Sequence, residues 1–133
     1  MKQLMRDALA ALRKAYPDMR LITGPSEGYF QRPCIQLLYT GMGMKREMGR
    51  RWRCTDELTL LWYPPDGEDP EERAGDLVTL LGDLRPQSLV GAKSAENGVF
   101  RCWVEVQTIC FLSEEAAEKM KKQVMQLQVQ LGK

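Results

Sequence analysis

Four cysteines, a cluster of carboxylates, two close glycines and a run of arginines are the residues of this 133-residue sequence whose types and spacing could do chemistry. Cys34, Cys54, Cys102 and Cys110 could act as nucleophiles or soft-metal ligands. A nucleophilic cysteine needs a base, most often histidine, and the chain has none. A Ser–His–Asp or Cys–His pair is therefore impossible within it. No two cysteines stand in a C-x-x-C pair, so a zinc site is not expected. Each cysteine lies in an apolar or alternating segment, the setting of a buried free thiol in a reducing compartment.

The carboxylates Asp66, Glu68, Asp69, Glu71, Glu72 and Asp76 surround a helix start. Capping and a solvated face account for them better than catalysis, and no calcium-loop spacing is present. Gly41 and Gly43 lack the third glycine of a dinucleotide fingerprint and do not open a helix, so no phosphate loop is assigned. The chain accordingly reads as a non-enzyme, with no catalytic residue, no cofactor and no metal.

The basic run is more informative. Lys45, Arg46, Arg50, Arg51 and Arg53 fall within nine residues around Trp52 and, with Glu47, carry +4. Residues 66–76 carry −5. The plain reading of the basic run is a soluble hairpin tip whose edges charge protects. Its functional readings are contact with phosphates or with an acidic partner surface. Two opposite patches on one molecule suit a head-to-tail contact between copies, which closes into a ring when the rotation permits. The expected contact residues are Met42, Met44, Lys45, Arg46, Arg50, Arg51, Trp52 and Arg53 on one side. On the other they are Asp66, Glu68, Asp69, Glu71 and Glu72.

The elements that must position these residues follow from periodicity. Leu4, Ala8, Leu9 and Leu12 stripe a helix over 2–15, which Pro17 stops. A short strand is expected at Arg20–Thr23, a turn cluster at Gly24–Gly28, and a strand over 30–40. The glycine-punctuated stretch 41–49 reads as a flexible tip joining it to a longer strand, Arg51–Tyr63. There Cys54, Leu58, Leu60 and Trp62 share one face, and Thr55, Glu57 and Thr59 the other. Asp69 caps a helix with Pro70 at its first position and Ala74, Leu77, Val78, Leu81 and Leu84 as its stripe. A strand within 87–96, a turn at Glu96-Asn97-Gly98 and a strand over Val99–Leu112 follow, with Phe100, Cys102, Val104 and Val106 inward. Ser113 caps a last helix whose narrow seam is Ala117, Met120, Val124, Leu127 and Leu131.

The predicted order is α-β-β-β-α-β-β-α in one domain, residues 1–133. The class is α+β, a mostly antiparallel sheet with a long hairpin, packed by N-terminal, central and C-terminal helices. Apolar residues make up 44% and charged residues 28%, the balance of a globular chain with one ordinary core. A net charge of +1 supplies no field toward nucleic acid or anionic membrane. No apolar run is long enough to span a bilayer, and Arg6 and Asp7 interrupt what would be a signal peptide's apolar centre, so a cytosolic product is expected. Eight methionines suit core gaps or an adaptable contact surface.

Three segments carry a resemblance: YPDMRLITGPSEGYFQRPCIQLLY (16–39), GRRWRCTDELTLLWYPP (49–65) and GVFRCWVEVQTICFL (98–112). Phe30-Gln31-Arg32-Pro33-Cys34, Arg50-Arg51-Trp52 and Trp62-Tyr63-Pro64 stand in the order of the short tail terminator proteins of long-tailed phages and prophages. The chain resembles that family over roughly residues 10–112. Cys102, Val104 and Cys110 depart from its more aromatic last strand, and the piece before Gly98 is shorter. The resemblance implies a structural protein of virion assembly, a hexameric ring that caps the tail tube at the neck and joins it to the head connector. It implies self-association, tail tube and head-tail connector proteins as partners, DNA passing through the lumen, no membrane, and assembly in the host cytoplasm. The alternatives are a head-side connector or tube-like subunit, and a nucleic-acid-binding protein using Lys45–Arg53.

Overall fold

The structure, a computed structural model, describes residues 2–24 and 31–130. Pro25–Gly28 of the expected turn cluster, Phe30 and Leu131 lie outside them. Helix α1 covers Lys2–Ala15, and strand β1 covers Arg20–Thr23. Strands β2 (Cys34–Met48) and β3 (Arg51–Tyr63) form the long hairpin. A 3-10 turn at Pro70–Arg73 leads into α2, Ala74–Gly82. Strands β4 (Leu89–Glu96) and β5 (Val99–Phe111) form a second hairpin, and α3 covers Glu114–Gln130. The fold is α+β with the expected element order.

The five strands make one sheet in the order β1-β2-β3-β5-β4. All pairs are antiparallel except β1 with β2. Period two sends alternate side chains to opposite faces. Even-numbered Leu58, Leu60 and Trp62 of β3 stand beside Ile35 and Leu37 of β2 and Phe100, Cys102 and Val104 of β5. All are buried, and they meet Leu4, Ala8 and Leu12 of α1 and Leu77 and Leu81 of α2. The spacings of four along both helices present one face to the sheet. The stripe expected on α2 holds for Ala74, Leu77, Val78 and Leu81, while Leu84 packs on the same core from the turn beyond the helix's end at Gly82.

Strand β2 continues well past its expected end. Residues 41–48, expected as a flexible tip, pair with β3 up to Met48, and only Gly49-Arg50 remain as a turn. Gly49 takes φ +56°, open to glycine without strain. One extra residue, Thr40, interrupts the register between Tyr39 and Gly41. Such a bulge shifts the parity of the side chains that follow, here as far as Arg46, before a second irregularity ahead of Met48. Met42 and Met44 therefore join the helix-bearing face, while Gly41 and Gly43 fall on the open one. A Cβ at Gly41 would stand 3.1 Å from Glu57 Cβ, so its lack of a side chain serves strand pairing.

The central helix, expected to begin as an α-helix at Pro70, opens instead with the 3-10 turn. Its first turn is tighter than α-helical, and Asp69 caps that turn, its Oδ1 accepting from the Glu71 amide at 3.0 Å. The turn at Asn97-Gly98 has φ of +54° and +74°, as a two-residue antiparallel connection requires.

Helix α3 packs on the same sheet face as α1 and α2, but farther along. Ser113 caps it as expected, its Oγ accepting from the Ala116 amide at 3.1 Å. Ala117 is buried against Trp52 and Cys54, with Met44, Cys110, Leu112 and Met120 partly buried around them. Val124 and Leu127 are half-buried, while Met125 and Val129 are exposed. The seam thus starts within its own subunit. Among the described residues no helix is long and apolar enough to cross a membrane.

Candidate functional site

Trp52 organises the end of the long hairpin. It is buried beneath α3 at 8% exposure, on the same face of β3 as Leu58, Leu60 and Trp62 of the main core. Two cations address its ring: Arg46 at 6.0 Å from the ring centroid and Lys121 of α3 at 5.3 Å. Both separations suit a cation–π contact. Arg46 also donates from Nε to the Gly49 carbonyl at 2.8 Å, and Lys121 pairs with Glu118 at 3.1 Å. Trp52 therefore holds the charges that face solvent rather than facing solvent itself. Met44 is partly buried beneath α3 beside it. Met42 is half-buried on the same face.

The basic run is partly neutralised by the fold. Glu47 accepts from Arg51 at 3.1 Å and from Arg53 at 3.1 Å, and Arg53 also reaches Gln107 at 3.2 Å. Lys45 and Arg50 are exposed and have no ion-pair partner among the described residues. Arg46, Arg50, Trp52, Glu114, Glu118 and Lys121 line a groove of about 540 Å³ between the turn and the start of α3.

The acidic set sits at the other end of β3. Glu68 pairs with Arg73 at 3.6 Å. The Arg73 guanidinium lies 5.1 Å from the Trp62 ring centroid and 5.3 Å from that of Tyr16, tying the corner to the core. Asp69 is the cap described above, and Glu71 accepts from the Ala95 amide at 3.0 Å, holding β4. Asp66 and Glu72 are exposed and have no such use among the described residues. The structure thus brings the basic residues together and the acidic residues together, and keeps the two groups apart. Twelve residue steps of about 3.3 Å separate Arg51 from Tyr63, roughly 40 Å.

No family model and no curated protein matches this chain.

Three of the thiols, Cys34, Cys54 and Cys102, are chemically quiet. Burial pushes Cys102 up to about 12. Burial, followed by its neighbour Cys110, pushes Cys54 up to about 11. Burial also raises Cys34. Thiols so placed stay protonated at neutral pH and are poor nucleophiles. Cys34, Cys54 and Cys102 are buried and free, as expected, and Cys110 is free and half-buried. Among the described residues no three acidic or cysteine side chains are grouped to hold a metal ion. Asp56 sits on the helix-bearing face between the two apolar clusters, where burial raises its pKa.

The helix-free face of the sheet holds what sequence reasoning missed. Thr40 Oγ1 donates to Glu57 at 2.6 Å and lies 2.6 Å from Thr59 Oγ1. Trp103 lies flat over Gly91, its partner across the β4–β5 ladder, where a Cβ would come within 2.4 Å of the ring. A glycine facing an aromatic across two strands is a recognisable signal, but only once the register is known. Met48 and Phe111, at 81% and 71% exposure, flank Arg51 at the far end. No pattern in the sequence links Lys121 to Trp52, because the contact depends on where α3 lands.

Proposed function

We propose that this chain is a non-catalytic structural subunit of a phage or prophage tail. In this reading copies form a ring, hexameric in the family it resembles. The ring caps the tail tube, ends its polymerisation and joins it to the head connector. One observation carries the reading: a long sheet with unlike charges concentrated at its two ends, a shape that repeats head-to-tail without using up its contacts. The tail-terminator resemblance of residues 16–39, 49–65 and 98–112 supports it. Quiet, buried thiols and a sequence without histidine leave the edges and ends of the molecule to do its work. The place of action is then the virion tail, after assembly in the host cytoplasm, with DNA passing through the lumen.

The test is tube assembly. The purified chain is added to polymerising tail tube protein of a long-tailed phage, and tube lengths are measured by electron microscopy. Capping gives shorter tubes bearing a ring at one end. Tubes of unchanged length with no end density would refute the reading. Binding to a portal-side protein instead would move the chain to the head side of the joint.

A further inference from the structure

Once the fold has used its charges internally, a small set remains at each end. At the turn, Glu47 occupies Arg51 and Arg53. Arg46 and Lys121 stay over Trp52, and Arg50 is exposed at the rim of the groove beside α3. At the corner, Arg73, the Glu71 amide and the Ala95 amide occupy Glu68, Asp69 and Glu71 in turn. Asp66 and Glu72 are left exposed. Roughly 40 Å of β3 lies between the ends, several times the ~8 Å screening length at physiological salt. They cannot compensate each other within one chain.

The groove also discriminates between partners. Glu114 and Glu118 stand on its rim beside Arg46, Arg50 and Lys121. A continuous polyanion such as nucleic acid would run along these carboxylates, whereas the short 66–72 corner, using Asp66 and Glu72, can meet the cations alone. The net charge of +1 adds no long-range attraction for a polyanion. The corner is stiff: Pro64 and Pro65 precede it, Pro70 lies within it, and Arg73 anchors it on Trp62. A stiff acidic corner and a groove in which Arg46 and Lys121 are held over an indole are both preorganised, which lowers the cost of joining them.

We propose that the 66–72 corner of one copy seats in the groove between the β2–β3 turn and the start of α3 of the next. Asp66 and Glu72 meet Arg50, flanked by Arg46 and Lys121. This rests on the ring reading and names its contact. The contact is heterologous, so each copy uses its groove once and its corner once.

Sedimentation velocity of the purified full chain tests it, with circular dichroism as the check on folding. Arg50→Glu and Glu72→Lys are both at exposed positions. Each alone should weaken self-association at least about tenfold, since like charges then face each other. An equimolar mixture of the two variants should restore it, because every groove can then find a corner of opposite sign. Rings that persist unchanged in both single variants would overturn this contact and leave the ring reading standing. A wild-type chain that stays monomeric at all concentrations would overturn both. Weakening that the mixture does not rescue would also overturn it, by placing the two residues in separate contacts.

Discussion

The two halves of the sheet are built to different standards. At the start of β2 and the end of β3, fourteen buried residues among those described, from α1, β2, β3, α2 and β5, pack into one cluster. Toward the turn, three buried residues, Trp52, Cys54 and Ala117, form a second cluster under one helix. The first half is a core in the ordinary sense, closed by α1 and α2. The second is a three-stranded extension of β2, β3 and β5 held by a single tryptophan and the first turns of α3. It presents Met48, Phe111, Lys45 and Arg50 to solvent. A thin, charged extension on a solid base is an arm. Such an arm, with few buried contacts, is expected to open locally before the base does.

The sharpest way to break this comparison is to remove one tryptophan from each half. Trp62→Ala opens a cavity in the fully buried cluster and should cost about 3–5 kcal/mol of global stability, read from urea denaturation. Trp52→Ala should instead release the arm. Amide exchange should accelerate at Met44, Cys54, Cys110 and Ala117, while Leu60 and Cys102 keep their protection. Equal loss of protection in both halves would show one cooperative unit rather than an arm on a base.

A smaller effect is expected from the cap of α3. Ser113→Ala removes the acceptor for the Ala116 amide and should cost about 1 kcal/mol. That loss should appear in exchange of α3 and the arm before it appears in the global transition.

Asp56 lies at the boundary between the halves, and its expected effect is the smallest. Burial raises its pKa in the folded state, so its charged form opposes folding at neutral pH. The sign follows: stability associated with the protonated carboxyl is complete below the unfolded pKa and is lost as pH rises through the higher folded value. Asp56→Asn should therefore be more stable than wild type at pH 7. The difference between the two denaturation midpoints should shrink as pH falls toward 4. A difference that grows instead would mean the carboxylate is stabilised by a partner across the boundary.

Much of the base was legible in the residues alone. Strand β3 has the expected bounds, Arg51–Tyr63, because alternation over thirteen residues admits no other period. The caps Asp69 and Ser113 and the Asn97-Gly98 turn act locally, within a few residues, and were legible for that reason. Strand β2 was only half legible. Gly41 and Gly43 are poor strand formers by themselves, and the ladder to β3 overrides that preference. The bulge at Thr40, which sends Met44 toward α3, has no local signature, since register is a property of two strands.

The candidate site divides in the same way. Residue types and spacing alone determined that this chain carries unlike charge clusters, lacks histidine and folds as α+β. Only the tertiary structure decided which of those charges remain available. Glu47 turns back across a two-residue bend to hold Arg51 and Arg53, and Arg73 is drawn onto Trp62 and Tyr16. Lys121 comes from a helix nearly seventy residues away to meet Trp52. Charge composition is additive along a chain, but ion pairing depends on distances of a few ångströms that the packing of strands and helices alone sets.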